Sequence, residues 1–220
     1  MTDVRSLTVT QDLQDYVVSH GSSPVDGVLA DLRRETEKLG AVAGMQIGPD
    51  QGQLLTWLAR LVGARRAVEV GTFTGYSSIC IARGLPTDGR LICCDVSKDW
   101  TAIGRRAWTR AGLADRIDLR LGPALDTVRN LPSEPHIDLV FLDADKVGYV
   151  SYWNELVPRV RTGGVLLADN VLWSGRIVDA DADDADTQAL RAFNDLVATD
   201  ERVDVVILPA FDGLLLARKK

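Results

Sequence analysis

The chain has 220 residues, 46% of them hydrophobic and 25% charged, the balance of an ordinary water-soluble protein long enough for a substantial core in a single domain. Its formal net charge of −6 argues against nucleic acid as a partner and suits a cationic ligand better than a polyanionic one. The three cysteines, Cys80, Cys93 and Cys94, show neither CxxC nor Cys/His spacing, which argues against zinc and for small, reduced core residues in a cytoplasmic protein.

Helical patterns come first. Residues 1–10 lack the apolar segment of a secretory signal, and no later stretch approaches the length of a membrane span. Residues 11–20 read as a helix. Ser23 reads as an N-cap with Pro24 at the first helical position, leading a helix to about Leu39. Pro49 opens a third, through Leu54, Leu55, Leu58, Leu61 and Val62, which Gly63 stops. Strands and helices then alternate: strand 67–70, helix 75–83, strand 91–94, helix 100–111, strand 117–121, helix 124–131 and strand 137–142. A helix over 150–160, disturbed near Pro158, a strand over 165–168 and a helix over 186–199 continue the series. That alternation implies βαβ units and a parallel sheet. The last strands, 203–208 and 214–217, are too close for a parallel crossover and should form an antiparallel hairpin.

Two of these strands end in acidic segments: Asp143-Ala144-Asp145-Lys146, and Asp169-Asn170. Parallel strands end on one edge of an open sheet, where ligands bind, so Asp143, Asp169 and Asn170 can converge. Three hard oxygen donors suit Mg²⁺ or a similar divalent cation, and Lys146 adds a candidate base. Helix capping by Asp143, Asp169 and Asn170, and a surface ion pair for Lys146, are the plainer readings. Asp145 reads as a cap or supporting group. A third segment, Glu69-Val70-Gly71-Thr72-Phe73-Thr74-Gly75-Tyr76-Ser77, follows a strand and opens a helix. Gly71 permits a tight turn and close ligand approach. Phe73 stands where a dinucleotide loop needs its second glycine, and Glu69 adds negative charge that suits a phosphate poorly. Asp95, closing the next strand, can accept ribose hydroxyls. A ribose-bearing cofactor with a sulfonium and an amino group, S-adenosylmethionine, fits better.

These segments, with Met45-Gln46-Ile47-Gly48-Pro49-Asp50-Gln51-Gly52-Gln53, Val171-Leu172-Trp173-Ser174-Gly175, Leu208-Pro209 and Asp212-Gly213-Leu214, occur in one order. From about Met45 to Lys220 the chain resembles the cation-dependent O-methyltransferases, the catechol and caffeoyl-CoA group. The resemblance implies a Rossmann-like class I methyltransferase fold: a mostly parallel seven-stranded α/β sheet with helices on both faces and a C-terminal antiparallel hairpin. It implies one methyltransferase domain over 1–220, with 1–45 as an N-terminal helical cover, and a homodimer. Asp143, Asp169 and Asn170 match the metal ligands, with Mg²⁺ first and Mn²⁺ or Ca²⁺ as alternatives, and Lys146 matches the catalytic base. Met45, Ile47, Glu69, Gly71, Thr72, Phe73, Ser77, Asp95, Val96, Ala124 and Asp143 are the implied cofactor residues, with Glu69 shaping the site from beneath. The expected reaction is methyl transfer from S-adenosylmethionine to a hydroxyl of a small vicinal dihydroxy aromatic, with a caffeoyl-CoA thioester as the alternative acceptor.

Other classes are less well served. A dehydrogenase lacks its pyrophosphate loop, and a strand-end Asp-x-Asp phosphatase gains nothing from Lys146. A non-catalytic binding module would not need Lys146 or the metal group. The acidic run from Asp179 to Asp186 lacks the glycine and terminal glutamate of a calcium loop and reads as solvated and mobile. His20 and His136 carry no signal. Trp173 and Phe211 are either loop anchors or walls of an acceptor pocket.

Overall fold

The computed structural model describes residues 7–21 and 26–220. Three helices precede the sheet: α1 (Gln11–Gly21), α2 (Gly27–Glu37) and α3 (Pro49–Leu61). The expected Ser23 cap and Pro24 lie outside the described residues. Asp26 caps α2 instead, its side chain accepting from the Leu29 amide at 3.0 Å. Helix α2 ends two residues short of Leu39, and a 3₁₀ turn, Gly40–Met45, leads on to α3. Pro49 takes the first turn of α3, where its missing N–H costs nothing, and Gly63 beyond the end adopts φ +61°. A bond from Gln14 Nε2 to Asp50 Oδ2, 2.7 Å, ties α1 to α3.

The alternating half supplies β1 (Arg66–Val70), α4 (Tyr76–Gly84), β2 (Arg90–Asp95), α5 (Lys98–Arg110), β3 (Ile117–Leu121) and α6 (Ala124–Arg129). It continues with β4 (Ile137–Leu142), α7 (Tyr149–Leu156), β5 (Val160–Ala168), α8 (Ala185–Ala198), β6 (Val203–Leu208) and β7 (Leu214–Lys219). One sheet results, in the order β3-β2-β1-β4-β5-β7-β6. Strands β1 to β5 run parallel, and β7 lies antiparallel to both β5 and β6, so the terminal hairpin forms as expected. The order reverses between β1 and β4, which is where an open α/β sheet leaves a crevice.

Two apolar layers cover the sheet. On one face Leu32, Leu55, Ile79 and Trp108 bring in α2, α3, α4 and α5. On the other, Val128, Trp153 and Phe193 bring in α6, α7 and α8. Adjacent Cys93 and Cys94 fall in different layers, as strand alternation requires, and burial pushes the Cys94 thiol up to about 12. Strand β5 starts at Val160 rather than 165. Helix α7 gives way to a 3₁₀ turn at Val157–Arg159 around Pro158, and Val160 then pairs with Ile137. After Val160 the extra residues are Arg161, Thr162, Gly163 at φ +79° and Gly164, beside a register irregularity, so they break the apolar run that marks the strand over 165–168. Among the described residues no helix is long and apolar enough to cross a membrane.

Candidate active site

Backbone bonds stitch four strand ends together. The Gly71 amide donates to Cys94 O at 3.0 Å, the Asp143 amide to Val70 O at 2.8 Å and the Asp169 amide to Leu142 O at 2.9 Å. Gly71 sits at φ +90°, and a Cβ there would lie 1.9 Å from the Asp143 carbonyl oxygen, so only glycine lets β1 turn this close to β4. A cavity of about 1020 Å³ opens over these ends. From the turn after β1 it is lined by Gly71, Thr72, Phe73 and Ser77; from the end of β2 by Asp95 and Val96; from the start of α6 by Ala124. Met45 and Ile47 line it from the N-terminal side, and Asp143, Lys146, Asp169 and Asn170 from the ends of β4 and β5.

Glu69 alone among the expected contacts does not line the cavity. It lies in β1, fully buried, one residue before the strand ends, so its side chain turns into the sheet's helix-covered face beside Cys93. Its two carboxylate oxygens have no hydrogen-bond partner among the described residues. Burial pushes its pKa up to about 7, against the pull of the nearby Ser77, Cys93 and Thr72 side chains. Asp95 is half-buried: Oδ2 accepts from the Thr72 and Phe73 amides at 3.0 and 2.7 Å, and Oδ1 from the Ser97 amide at 2.7 Å. These bonds hold the turn after β1 against β2 and leave acceptor capacity toward the cavity. An acceptor-bearing carboxylate at one end and an unpartnered buried carboxylate beneath Ser77 fit a cofactor with ribose hydroxyls and a cationic amino-acid end.

Lys146, 8% exposed, is the centre of the other end. Its Nζ donates to Asn170 Oδ1 at 2.7 Å, Tyr149 OH at 2.9 Å and Asp143 Oδ1 at 3.2 Å. Tyr149 OH in turn faces the carbonyls of Asp169 and Leu142, at 3.1 and 3.3 Å. Asp169 accepts from Gln51 Nε2 and from the Asn170 amide, both at 2.8 Å. Burial pushes Asp143 above the usual carboxylate range, with the Lys146 charge opposing. Burial and the Asp143 charge push Asp169 up to about 6, while Gln51 and the Asn170 amide pull the other way. Two carboxylates that both resist ionisation, beside a neutral carbonyl oxygen, are a donor set that a hard divalent cation would relieve. No group of three His, Cys, Asp or Glu residues gathers among the described residues, so such a cation would need Asn170 as its third protein ligand.

Several site residues carried no sequence signal of their own. Gln51 lies 118 positions from Asp169 in the chain, and Tyr149 stands one residue before the helix expected over 150–160. Asp145 accepts from Tyr152 OH at 2.7 Å. Asp212, in the turn between β6 and β7, accepts from the Ser174 amide and faces Asn170 Nδ2 at 3.5 Å. Trp173 and Phe211 both line the cavity. The acidic run is not a loose loop: Arg191 Nε and Nη1 donate to the carbonyls of Ile177 and Ala182 at 2.9 and 2.8 Å, and its Nη2 bonds those of Arg176 and Asp179. Asp184 caps α8 through the Thr187 amide, and Asp186 lines the cavity.

A parallel sheet with a reversed terminal hairpin and a carboxylate-edged cavity at the switch point defines a class I, S-adenosylmethionine-dependent methyltransferase. A family model described as O-methyltransferase matches residues 19–220, and the chain belongs to that family. It is 34% identical to caffeoyl-CoA O-methyltransferase 1 of Zea mays, over 98% of this chain and 87% of that one. A Bacillus cereus O-methyltransferase solved in complex with SAH superposes with a TM-score of 0.86 at 33% identity, covering 95% of this chain and 97% of the other. TomG of Streptomyces achromogenes, an O-methyltransferase involved in tomaymycin synthesis and solved with SAM, gives 0.87 at 31% identity, covering 95% and 96%. The chain is an S-adenosylmethionine-dependent O-methyltransferase.

Proposed function

We propose that the enzyme methylates one hydroxyl of a vicinal dihydroxy aromatic, with a divalent cation held by Asp143, Asp169 and Asn170 and with Lys146 as the base. The observation that carries this reading is the convergence of Asp143 Oδ1 and Asn170 Oδ1 on one nitrogen, Lys146 Nζ, beside the buried Asp169. A divalent cation, Mg²⁺ before Mn²⁺ or Ca²⁺, would supply Lewis acidity and a template for the two acceptor oxygens. Lys146 is within reach of those donors, and as the neutral amine it takes the acceptor's hydroxyl proton. The acceptor oxygen then forms its bond to the sulfonium methyl carbon while the carbon–sulfur bond breaks, its electron pair staying on sulfur. Tyr149 holds the amine from the side away from the cavity, so Lys146 keeps its position through the transfer. Asp95, Gly71 and Ser77 orient the donor, and Met45 and Ile47, with Gln14 of α1, cover it from the N-terminal side.

A caffeoyl-CoA-type thioester is the second acceptor reading, favoured by the name of the maize relative. The test is methyl transfer from labelled S-adenosylmethionine to catechol with Mg²⁺ and with excess EDTA. Loss of transfer in EDTA is expected. Transfer that survives EDTA overturns the cation's role, and transfer to caffeoyl-CoA but not to catechol moves the acceptor to the second reading.

A further inference from the structure

We infer that the acceptor end of the cavity selects for charge: it takes a dihydroxy aromatic whose side arm is cationic or uncharged and disfavours a carboxylate arm or the phosphorylated tail of a coenzyme A thioester. This rests on the catechol reading and names the substrate class within it.

Beyond Asp143 and Asp169, five carboxylates line the cavity, and Lys146 is the one cationic side chain among the described lining residues; no arginine or histidine lines it. Four of the five, Asp212 among them, have local hydrogen-bond partners, and Asp186 has none among the described residues. Asp95 holds the turn after β1, Asp145 accepts from Tyr152, and Asp50 accepts from Gln14. The other two, Asp186 and Asp212, belong to the acceptor end. Asp212 is half-buried and fixed by the Ser174 amide at 2.5 Å, next to Asn170. Asp186 stands in the first turn of α8, a helix that packs against both the turn carrying Lys146 and the segment carrying Trp173. Its carboxylate accepts no hydrogen bond from any described residue, although it is half-buried.

No arginine of the neighbouring segment lines the cavity: Arg176 pairs with Asp184, and Arg191, which keeps its charge, turns its guanidinium to four loop carbonyls instead. Lys146 is committed to Asp143, Asn170 and Tyr149. Trp173 and Phe211 add two aromatic faces, and Lys146 Nζ already lies 5.8 Å from the Trp173 ring centroid, so the wall is suited to a cation as well as to an aromatic ring. An ammonium arm therefore meets two carboxylates and aromatic faces, whereas an anionic arm meets like charge within a screening length.

The experiment compares kcat/KM for ethylcatechol, aminoethylcatechol, carboxyethylcatechol and caffeoyl-CoA, with the intact enzyme, Mg²⁺ and S-adenosylmethionine. The amine should exceed the carboxylate by roughly tenfold or more, with caffeoyl-CoA lowest, and raised salt should narrow the gap. Asp186→Asn and Asp212→Asn should each move the amine-to-carboxylate ratio toward one, a readout that cancels any loss common to all acceptors. A ratio near one in the unmutated enzyme, or caffeoyl-CoA as the best substrate, overturns the charge selection. Ethylcatechol turned over with a flat charge series leaves the catechol reading standing and sinks this one. No transfer to any catechol overturns both.

Discussion

Replacing Gln51 with leucine separates the fold's need for Asp169 from that of the proposed cation. Gln51 Nε2 donates to Asp169 Oδ2 at 2.8 Å, and the side chain is 3% exposed. A buried hydrogen bond to a charged acceptor contributes about 1.5–3 kcal/mol, and leucine is close enough in size that little space opens. Asp169 Oδ1 keeps the Asn170 amide at 2.8 Å, so one oxygen of the two loses its donor. Without a cation that oxygen can turn to cavity water, and the fold loses roughly 1–2 kcal/mol, which for a chain of this size lowers Tm by about 2–8 °C. Cation binding needs the carboxylate held in one orientation, so the half-saturating Mg²⁺ concentration should rise about 10–100-fold. Initial rates against Mg²⁺, beside thermal melts in EDTA, measure both effects. An unchanged Mg²⁺ midpoint, with the rate lowered equally at every concentration, would refute the argument that Gln51 orients Asp169 as a ligand.

Lys146→Met should lower methyl transfer by about 10²–10⁴-fold while calorimetry still detects S-adenosylmethionine binding; near-normal turnover would remove Lys146 as the base. Arg191→Ala strips the 176–182 segment of its four carbonyl bonds, and a stability loss of about 1–3 kcal/mol with faster proteolytic cleavage in that segment is expected. Urea melts and a limited-digestion time course check it, and a protease pattern like the parent's counts against the pinning role. At Asp138, burial raises the pKa, but the Arg161 guanidinium and the Arg65 and Arg66 amides outweigh it and hold the carboxyl below its usual range. A folded pKa below the unfolded one gives stability that is present above about pH 4 and is lost as pH falls through the folded value. Urea midpoints should therefore fall less steeply on acidification in Asp138→Asn than in the parent, and parallel curves would contradict this.

What the sequence made legible is what depends on local pattern. Asp143 and Asp169 each close an apolar run, and strand direction alone sends both to one edge, where they line one cavity. Gly71 was readable because a strand-to-helix turn needs a residue free to take φ +90°, and the hairpin because five residues cannot carry a parallel crossover. Pairings set by tertiary structure were not readable. Tyr149 lies three residues from Lys146, yet its hydroxyl matters because it also reaches the Asp169 carbonyl from another strand. The aspartates from 179 to 186 look like a solvated run because the residue that orders the segment, Arg191, sits on the following helix and bonds backbone rather than carboxylate. Glu69, expected both beneath the site and among the cofactor residues, is fully buried and does not line the cavity, since the twofold alternation of a strand fixes the facing of a side chain and not its depth.

The acceptor end also departs from local rules in a consistent way. Asn170, Trp173, Ser174 and Phe211 all have positive φ, at 59°, 46°, 52° and 61°, and none is a glycine. Such residues cost of order 1 kcal/mol or more each and persist only where the surroundings over-determine them. Here the surroundings are backbone: the Val171 amide donates to Gly213 O at 3.0 Å and the Leu172 amide to Asp212 O at 3.1 Å, clamping the segment after β5 to the terminal hairpin. Gly213 is required at that clamp, because a Cβ there would lie 2.6 Å from the Leu172 nitrogen. Asn170 is the residue for which both demands agree. Asparagine tolerates the left-handed region better than most side chains, and it offers an oxygen without adding a third charge to the repelling Asp143–Asp169 pair. The hairpin that ends the sheet thus does more than cover β5: it holds the backbone in the conformation that turns Asn170 toward Lys146.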